Sequence, residues 1–290
     1  MRRACIDIGS NTTRLLVAEC DGERLHEVHQ ERVFTRIGRG LAPDGELRQD
    51  KIAEVAGVVG AQLRSARDLG ASEVRGVATA AVRQAANREV LLSAVRSTCG
   101  LEIEILSAQE EARLAFVGVA GTLGHLPRGE LGVVDVGGGS SELVVGSAPD
   151  QISWCRSFAL GSGELADDYL RSDPPSTAEL GAARARVAAV LGGLEPPQPA
   201  EVVAVGGSAT SLCALAGSLL DADALTRSLR LLASERAAQI ARRFGLELER
   251  VRLLPAGLLI LQAASEALGG ALSVGRGGIR EGILLETGTP

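Results

Sequence analysis

Apolar and polar positions recur with two different periods along this chain, and the period distinguishes strands from helices. Short, mostly apolar runs that end in glycine, such as residues 5–8 and 143–145, are typical of buried strands. Between residues 47 and 69 the apolar positions fall three or four residues apart, which predicts a helix. The first 33 residues read as three antiparallel strands with a turn at residues 21–22, and helices alternate with strands after them. The pattern therefore predicts an α/β fold.

A glycine-rich region and a long helical region follow further along the chain. Residues 118–132 are rich in glycine and are expected to form a hinge between two halves. Residues 227–268 read as helical, with breaks at Gly245 and Pro255.

One stretch carries most of the candidate chemistry, LGVVDVGGGSSELVVG at residues 131–146. It reads as two strands joined by a glycine turn whose backbone N–H groups can hold an anion such as phosphate. Asp135 and Glu142 flank the turn, and two carboxylates beside a phosphate would repel it unless a hard cation such as Mg²⁺ lay between them. Taken alone, this stretch is explained equally well as a plain β-hairpin.

The same pattern occurs a second time near the N-terminus, in ACIDIGSNTTRLLVAE at residues 4–19. When the two stretches are aligned with one constant offset, Asp7 matches Asp135 and Arg14 matches Glu142. The repetition favours two similar halves. We expect their hairpins to face each other across a cleft and to clamp a phosphate chain with its metal.

Three further segments are judged on their local pattern. Residues 202–208 read as a strand followed by Gly206, Gly207 and Ser208, with a helix from Ala209, and a helix N-terminus binds anions. Arg83 follows a predicted strand at a strand-to-helix junction, where ligands collect, although an exposed helix arginine is an equally good interpretation. Residues 161–166, GSGELA, fit a dinucleotide-binding pattern but follow the third strand of a hairpin set, so they are expected only to begin a helix.

The segment SAQEEAR predicts a helix start with a candidate general base. Ser107 and Glu110 form a capping box, in which Ser107 caps the helix and Glu110 bonds back to it. Glu111 points about 100° away around the helix, so it is left to face the cleft. A helix N-terminus favours the ionised carboxylate that a general base needs.

Composition limits the classes of function. The 290 residues predict two domains, and the net charge of −6 argues against nucleic-acid binding. No apolar run reaches the roughly 18 residues of a membrane helix, and the N-terminus lacks a secretion signal, so a cytoplasmic protein that does not bind membranes is expected. The five cysteines show no C-x-x-C spacing and the histidines lie apart from them, which does not support a zinc centre.

Four segments taken together resemble one family. IDIGSNTTRLLVAE, VVDVGGGSSELVVG, VVAVGGSATSLCAL and GGIREGILLE occur in this order, and the chain is similar in them to the exopolyphosphatase and guanosine pentaphosphate phosphohydrolase (Ppx/GppA) family of the actin, sugar kinase and Hsp70 superfamily. The resemblance implies two ribonuclease H-like (actin-like ATPase) domains, each a mixed sheet that opens with three antiparallel strands and is flanked by helices, with a cleft between them. Expected domains are residues 1–122 and 123–278, with a C-terminal helix at about 279–290 packing back on the first.

The resemblance implies a hydrolase that releases terminal orthophosphate from inorganic polyphosphate, or one that hydrolyses guanosine pentaphosphate. Glu111 matches the family's catalytic glutamate, and Mg²⁺ is the expected cofactor, with Mn²⁺ as an allowed substitute. The phosphate-binding candidates are Ser10, Asn11, Thr12, Arg14, Arg83, Gly137, Gly138, Gly139, Ser140, Gly207 and Ser208, and the metal-binding candidates are Asp7, Asp135 and Glu142. An ATP-dependent kinase or ATPase of the same superfamily and a non-catalytic sensor of guanosine tetra- or pentaphosphate are the alternatives. The resemblance also allows a homodimer.

Overall fold

The computed structural model describes residues 1–21, 24–41 and 44–286, and in it the chain forms two compact units. Met1–Thr122 and Gly277–Pro290 form the first unit, of which the described part ends at residue 286, and Leu123–Arg276 forms the second. Each unit contains one mixed β-sheet flanked by helices, which confirms the predicted fold class. Residue 22 of the turn predicted at residues 21–22 and the end of the predicted C-terminal helix, residues 287–290, lie outside the described residues.

The strands and helices are numbered in chain order. The strands are β1 (Arg2–Ile8), β2 (Thr13–Asp21), β3 (Arg24–Val33), β4 (Glu73–Ala78), β5 (Ile103–Ile105), β6 (Leu131–Val136), β7 (Ser141–Ser147), β8 (Gln151–Phe158), β9 (Glu201–Val205), β10 (Leu219–Leu220) and β11 (Leu272–Val274). The helices are α1 (Gln49–Asp68), α2 (Ala80–Gln84), α3 (Arg88–Cys99), α4 (Ala108–Thr122), α5 (Ser162–Tyr169), α6 (Thr177–Leu191), α7 (Gly206–Ala216), α8 (Ala222–Ser234), α9 (Ala237–Phe244), α10 (Leu248–Leu268) and α11 (Ile279–Glu286), with a 3₁₀ turn at Ile37–Gly40.

The sheet of the first unit has the strand order β3-β2-β1-β4-β5. The first three strands are antiparallel, whereas β4 runs parallel to β1 and β5 runs parallel to β4. Successive residues of β1 point to opposite faces, as strand geometry requires. Ile6 packs into a core with α1 and α3, and Cys5 packs into a second core with α4 and α11.

Glycines bring α11 into backbone contact with α4. A Cβ at Gly118 would overlap the carbonyl oxygen of Gly278, and a Cβ at Gly282 would overlap the carbonyl oxygen of Leu114. Gly118 therefore serves close helix packing, and the prediction that the hinge begins there was wrong because α4 continues to Thr122. This packing fixes the position of α4, the helix that carries Glu111.

The sheet of the second unit has the order β10-β11-β9-β6-β7-β8. Read from the other edge, β8, β7, β6, β9 and β11 repeat the arrangement of the first unit, with three antiparallel strands followed by parallel ones. The helix predicted from Ala209 begins at Gly206, because the two glycines after β9 form its first turn.

One helix of the second unit differs from two expectations. Pro255 lies inside α10 and does not break it, because burial around most of the helix outweighs the lost hydrogen bond. Among the described residues α10 is the one helix long and apolar enough to cross a membrane by length and composition, which the sequence pattern did not predict. Of its most apolar window, 67% is buried inside the structure, as in the core helix of a soluble protein, so this is weak evidence for a membrane span.

Candidate active site

The turn between β1 and β2 is held in place by backbone hydrogen bonds on two sides. The amide N–H of Gly9 donates to the Thr12 carbonyl oxygen at 3.0 Å and closes the turn. The next two carbonyl groups are bound from the other side: Ser10 O accepts from Gly38 N and Asn11 O accepts from Arg36 N, each at 2.9 Å.

The turn between β6 and β7 repeats this construction at the matching positions. The N–H of Gly137 donates to the Ser140 carbonyl oxygen at 3.0 Å. Here the N-terminus of α5 takes the place of the 3₁₀ turn, since Gly137 O accepts from Ser162 N and Gly138 O accepts from Gly163 N, each at 2.9 Å. A Cβ at Gly161 would overlap the backbone of Gly138, so glycine is required for this approach.

These anchored carbonyl groups determine where the neighbouring N–H groups point. In a trans peptide the N–H points opposite to the C=O of the same unit. The N–H groups of Asn11 and Thr12 therefore point away from the 3₁₀ turn, and those of Gly138 and Gly139 point away from α5. Successive N–H groups on one side of a turn attract anions. The segment GSGELA thus begins a helix, as predicted, and that helix also holds the glycine loop in place.

The residues that flank the two turns occupy matching positions in the sheets. Asp7 pairs in register with Arg14, and Asp135 pairs with Glu142. Glu142 is buried, and its Oε1 accepts a hydrogen bond from Ser157 Oγ at 2.8 Å. Glu142 lies in the protein interior beside β8, a contact that the sequence did not predict.

Asp7 has an oxygen atom suited to a cation. Its Oδ1 is enclosed by protein and accepts no hydrogen bond from any residue of the described ranges. Burial raises the pKa of Asp7 above its ordinary value, and the charges of Arg280 and Arg14 oppose that rise. Within the part of the chain that the structure describes, no three His, Cys, Asp or Glu side chains gather into a metal-binding group. The metal set Asp7, Asp135 and Glu142 therefore stays a prediction.

The start of α7 offers a third set of backbone N–H groups. Gly206 has φ +85°, and a Cβ there would lie 2.6 Å from Asp135 Oδ1, so Asp135 packs directly against this turn. No side chain caps the helix N-terminus at Val205. The Ser208 hydroxyl is buried against Gly257, so the backbone N–H of Ser208, and not its hydroxyl, is suited to bind an anion. Arg250 packs against Gly207, another contact that the sequence pattern did not reveal.

Glu111 and Arg83 form an ion pair in the first unit. The side chain of Glu111 is 3% exposed and that of Arg83 is 26% exposed. Arg83 NH1 donates to Glu111 Oε1 and also to the carbonyl oxygen of Leu106, the latter at 2.8 Å. The guanidinium of Arg83 therefore binds a buried carboxylate on one side and is partly exposed to solvent on the other. Neither the phosphate contact nor the exposed helix arginine considered from the sequence predicted this ion pair.

The start of α4 separates the two adjacent glutamates. Ser107 Oγ accepts from Glu110 N at 3.1 Å, so its capping role is confirmed. The Glu110 carboxylate accepts two hydrogen bonds from Arg113, at 3.0 and 2.6 Å, in place of the predicted bond back to Ser107. Glu110 is thus held on the surface of the helix while Glu111 is buried.

Comparison with known proteins identifies the family. The model of the Ppx/GppA phosphatase family matches residues 16–288. The chain belongs to this family. Exopolyphosphatase 2 of Mycobacterium tuberculosis is 34% identical over 237 residues, which cover 77% of this chain and 73% of the relative.

Other Ppx/GppA relatives extend this similarity. The guanosine-5'-triphosphate,3'-diphosphate pyrophosphatase of Photobacterium profundum is 28% identical over 98% of this chain and 58% of the relative. The crystal structure of the Aquifex aeolicus Ppx/GppA family member is 28% identical, with a TM-score of 0.83, over 99% of this chain and 97% of that one. The predicted family is therefore confirmed, and with it the class of hydrolase.

Proposed function

We propose that this chain is an exopolyphosphatase-type hydrolase that releases terminal orthophosphate from inorganic polyphosphate by attack of water. Its similarity to a relative named exopolyphosphatase supports this substrate. The observation that carries the proposal is the pair of matching loops. Gly9 closes the first turn and Gly137 closes the second in the same way, and in each loop two neighbouring carbonyl groups accept hydrogen bonds from backbone N–H groups of another segment.

In this proposal the backbone N–H groups hold the oxygens of the phosphate chain. The loops at residues 10–12 and 137–140 and the helix start at residues 207–208 supply neutral donors, and Arg14 supplies a positive charge. Such preorganised donors stabilise the charge that develops on the phosphoryl group during transfer. The protein contributes chiefly placement and charge neutralisation, because phosphoryl transfer needs little covalent help.

Glu111 is the proposed general base. Arg83 places a positive charge beside this carboxylate, which would accept a proton from the attacking water. Arg83 NH1 donates to Glu111 and to Leu106, and the N–H groups on the other two nitrogens of the guanidinium can donate to a phosphate oxygen. Arg83 would then hold the base and the substrate through the same planar group.

Mg²⁺ is the proposed cofactor, with Mn²⁺ as an allowed substitute. The buried Oδ1 of Asp7, which accepts no hydrogen bond from the described residues, fits a cation ligand, and Asp135 and Glu142 add two carboxylates. A bound Mg²⁺ would neutralise charge on the phosphate oxygens. A cytoplasmic location and a homodimer remain predictions.

Guanosine pentaphosphate is the second candidate substrate. The relative from Photobacterium profundum, whose name specifies a guanosine-5'-triphosphate,3'-diphosphate pyrophosphatase, matches 98% of this chain. The terminal phosphoanhydride of guanosine pentaphosphate presents the same chemistry as the end of a polyphosphate.

One assay separates the candidates. Orthophosphate release is measured from tripolyphosphate, long-chain polyphosphate and guanosine pentaphosphate, each with Mg²⁺ and without ATP. The proposal predicts release from polyphosphate at a higher kcat/KM than from guanosine pentaphosphate. The reverse order would assign the second substrate. Strict dependence on ATP would indicate a kinase, and nucleotide binding without release would indicate a sensor.

A further inference from the structure

We propose that the second unit contains a separate binding site for a short phosphate chain, in a cavity between α6, α8 and α10. The choice of ligand rests on the proposed function, and the existence of the site does not. The cavity has a volume of about 320 Å³. Its polar lining consists of Arg184, Thr226, Arg230 and Gln262, and its apolar lining of Leu180, Leu229 and Ala233. None of these residues is a candidate active-site residue.

The four polar side chains have no protein partner in the described part of the chain. The side chains of Arg184, Thr226, Arg230 and Gln262 form neither a hydrogen bond nor an ion pair with any residue of ranges 1–21, 24–41 and 44–286. Local sequence explains this for the arginines, because neither has Asp or Glu three or four residues away on its helix. Their hydrogen-bonding groups are therefore left for solvent or a ligand.

The charge of the cavity specifies an anion. Two exposed guanidinium groups line one cavity whose lining contains no carboxylate, which favours an anion with two or more charges. Guanidinium groups match phosphate oxygens in bidentate geometry, and the Thr226 hydroxyl and Gln262 amide add donors. The absence of acidic side chains from the lining makes a cation an unsuitable ligand.

The size and the apolar part of the lining limit the ligand further. Ligand sites usually measure about 300–1,000 Å³, so this cavity suits a small ligand such as a chain of two or three phosphates. Leu180, Leu229 and Ala233, which are half-buried, form the apolar wall beside these exposed arginines.

The first test measures binding of methylenediphosphonate, a diphosphate analogue whose P–C–P bridge resists hydrolysis. Titration calorimetry at fixed ionic strength compares the wild type, Arg184→Gln/Arg230→Gln and the control Arg186→Gln/Arg227→Gln. The control removes the same charge from the same two helices; all four arginines are exposed, and Arg186 and Arg227 lie outside the cavity lining. We expect a binding event that weakens at least about tenfold in the first variant and remains in the control. Equal weakening in both variants, or an equal affinity for sulfate in the wild type, would overturn the proposal.

The second test identifies the source of the phosphate chain. KM is measured for tripolyphosphate and for long-chain polyphosphate in the same three proteins. A KM raised only for the long chain, and only in Arg184→Gln/Arg230→Gln, means that the cavity holds the tail of the substrate. An unchanged KM with lost methylenediphosphonate binding means that a separate oligophosphate occupies it. Unchanged tripolyphosphate hydrolysis in this variant would leave the proposed function standing even if the cavity bound nothing.

Discussion

The ion pair between Arg83 and the buried Glu111 predicts an asymmetric pattern of stability changes. Arg83→Ala removes the guanidinium from a carboxylate that is 3% exposed. Removing one partner of a buried pair costs about 3–5 kcal/mol, and because Arg83 is 26% exposed we expect about 2–4 kcal/mol. Glu111→Gln leaves a partly exposed arginine that water can solvate, so we expect about 1–2 kcal/mol.

The double variant decides whether the two side chains act together. Adding Glu111→Gln to Arg83→Ala removes the unpaired buried charge, so the double variant should be more stable than Arg83→Ala alone. The coupling energy should be about 1–3 kcal/mol. The free energy of unfolding is measured by urea titration followed by far-ultraviolet circular dichroism.

The Glu110–Arg113 pair on the same helix supplies a matched control. Its side chains are 37% and 36% exposed, so the coupling between Glu110→Gln and Arg113→Ala should stay below about 1 kcal/mol. Strict additivity of Arg83→Ala and Glu111→Gln, or a coupling no larger than in the control, would refute the buried pair.

Three other substitutions test separate features. Gly206→Ala should lower phosphate release and destabilise the protein by about 1–3 kcal/mol in urea unfolding, because φ is +85° and the added Cβ would meet Asp135 Oδ1. Gly181→Ala, whose Cβ meets open space in α6, should leave phosphate release unchanged and stabilise the protein by about 0.5–1 kcal/mol, because alanine favours a helix over glycine. Burial raises the pKa of Asp7, so the buried carboxyl contributes its full stability below its ordinary pKa, and this stability is lost as the pH rises through the raised pKa. Asp7→Asn should therefore raise the Tm at pH 7 but not near pH 3. Mg²⁺ should raise the Tm of the wild type but not that of the variant. The backbone N–H groups of Ser176 and Arg171 lower the pKa of Glu179 to about 2. The ionised side chain therefore stabilises the folded protein above the ordinary pKa of glutamate, and this contribution is lost as the pH falls toward 2. Glu179→Gln should lower the Tm at pH 7 but not at pH 2.

The elements that the sequence predicted are those set by local patterns. The β1–β2 and β6–β7 hairpins follow from short apolar runs joined by glycine turns, and both signals are local to the chain. The Ser107 cap and the end of α9 at Gly245, which has φ +65°, likewise depend on neighbours in the chain.

The features that the sequence did not predict depend on distant contacts. Arg83 and Glu111 are 28 positions apart, and no local period brings an arginine to a particular glutamate. Arg250 packs on Gly207 through the fold of the second unit, and Pro255 is accepted in α10 because the helix is buried there. The role of Gly118 in helix packing was missed because glycine in sequence equally indicates a hinge.

The most direct test of the central claim is the kcat for orthophosphate release from tripolyphosphate with Mg²⁺. Glu111→Gln should lower kcat by about 10²–10⁴ while its circular dichroism stays native, and Glu110→Gln should stay within about twofold of the wild type. A folded Glu111→Gln variant that releases phosphate at the wild-type rate would contradict the assignment of Glu111 as the base.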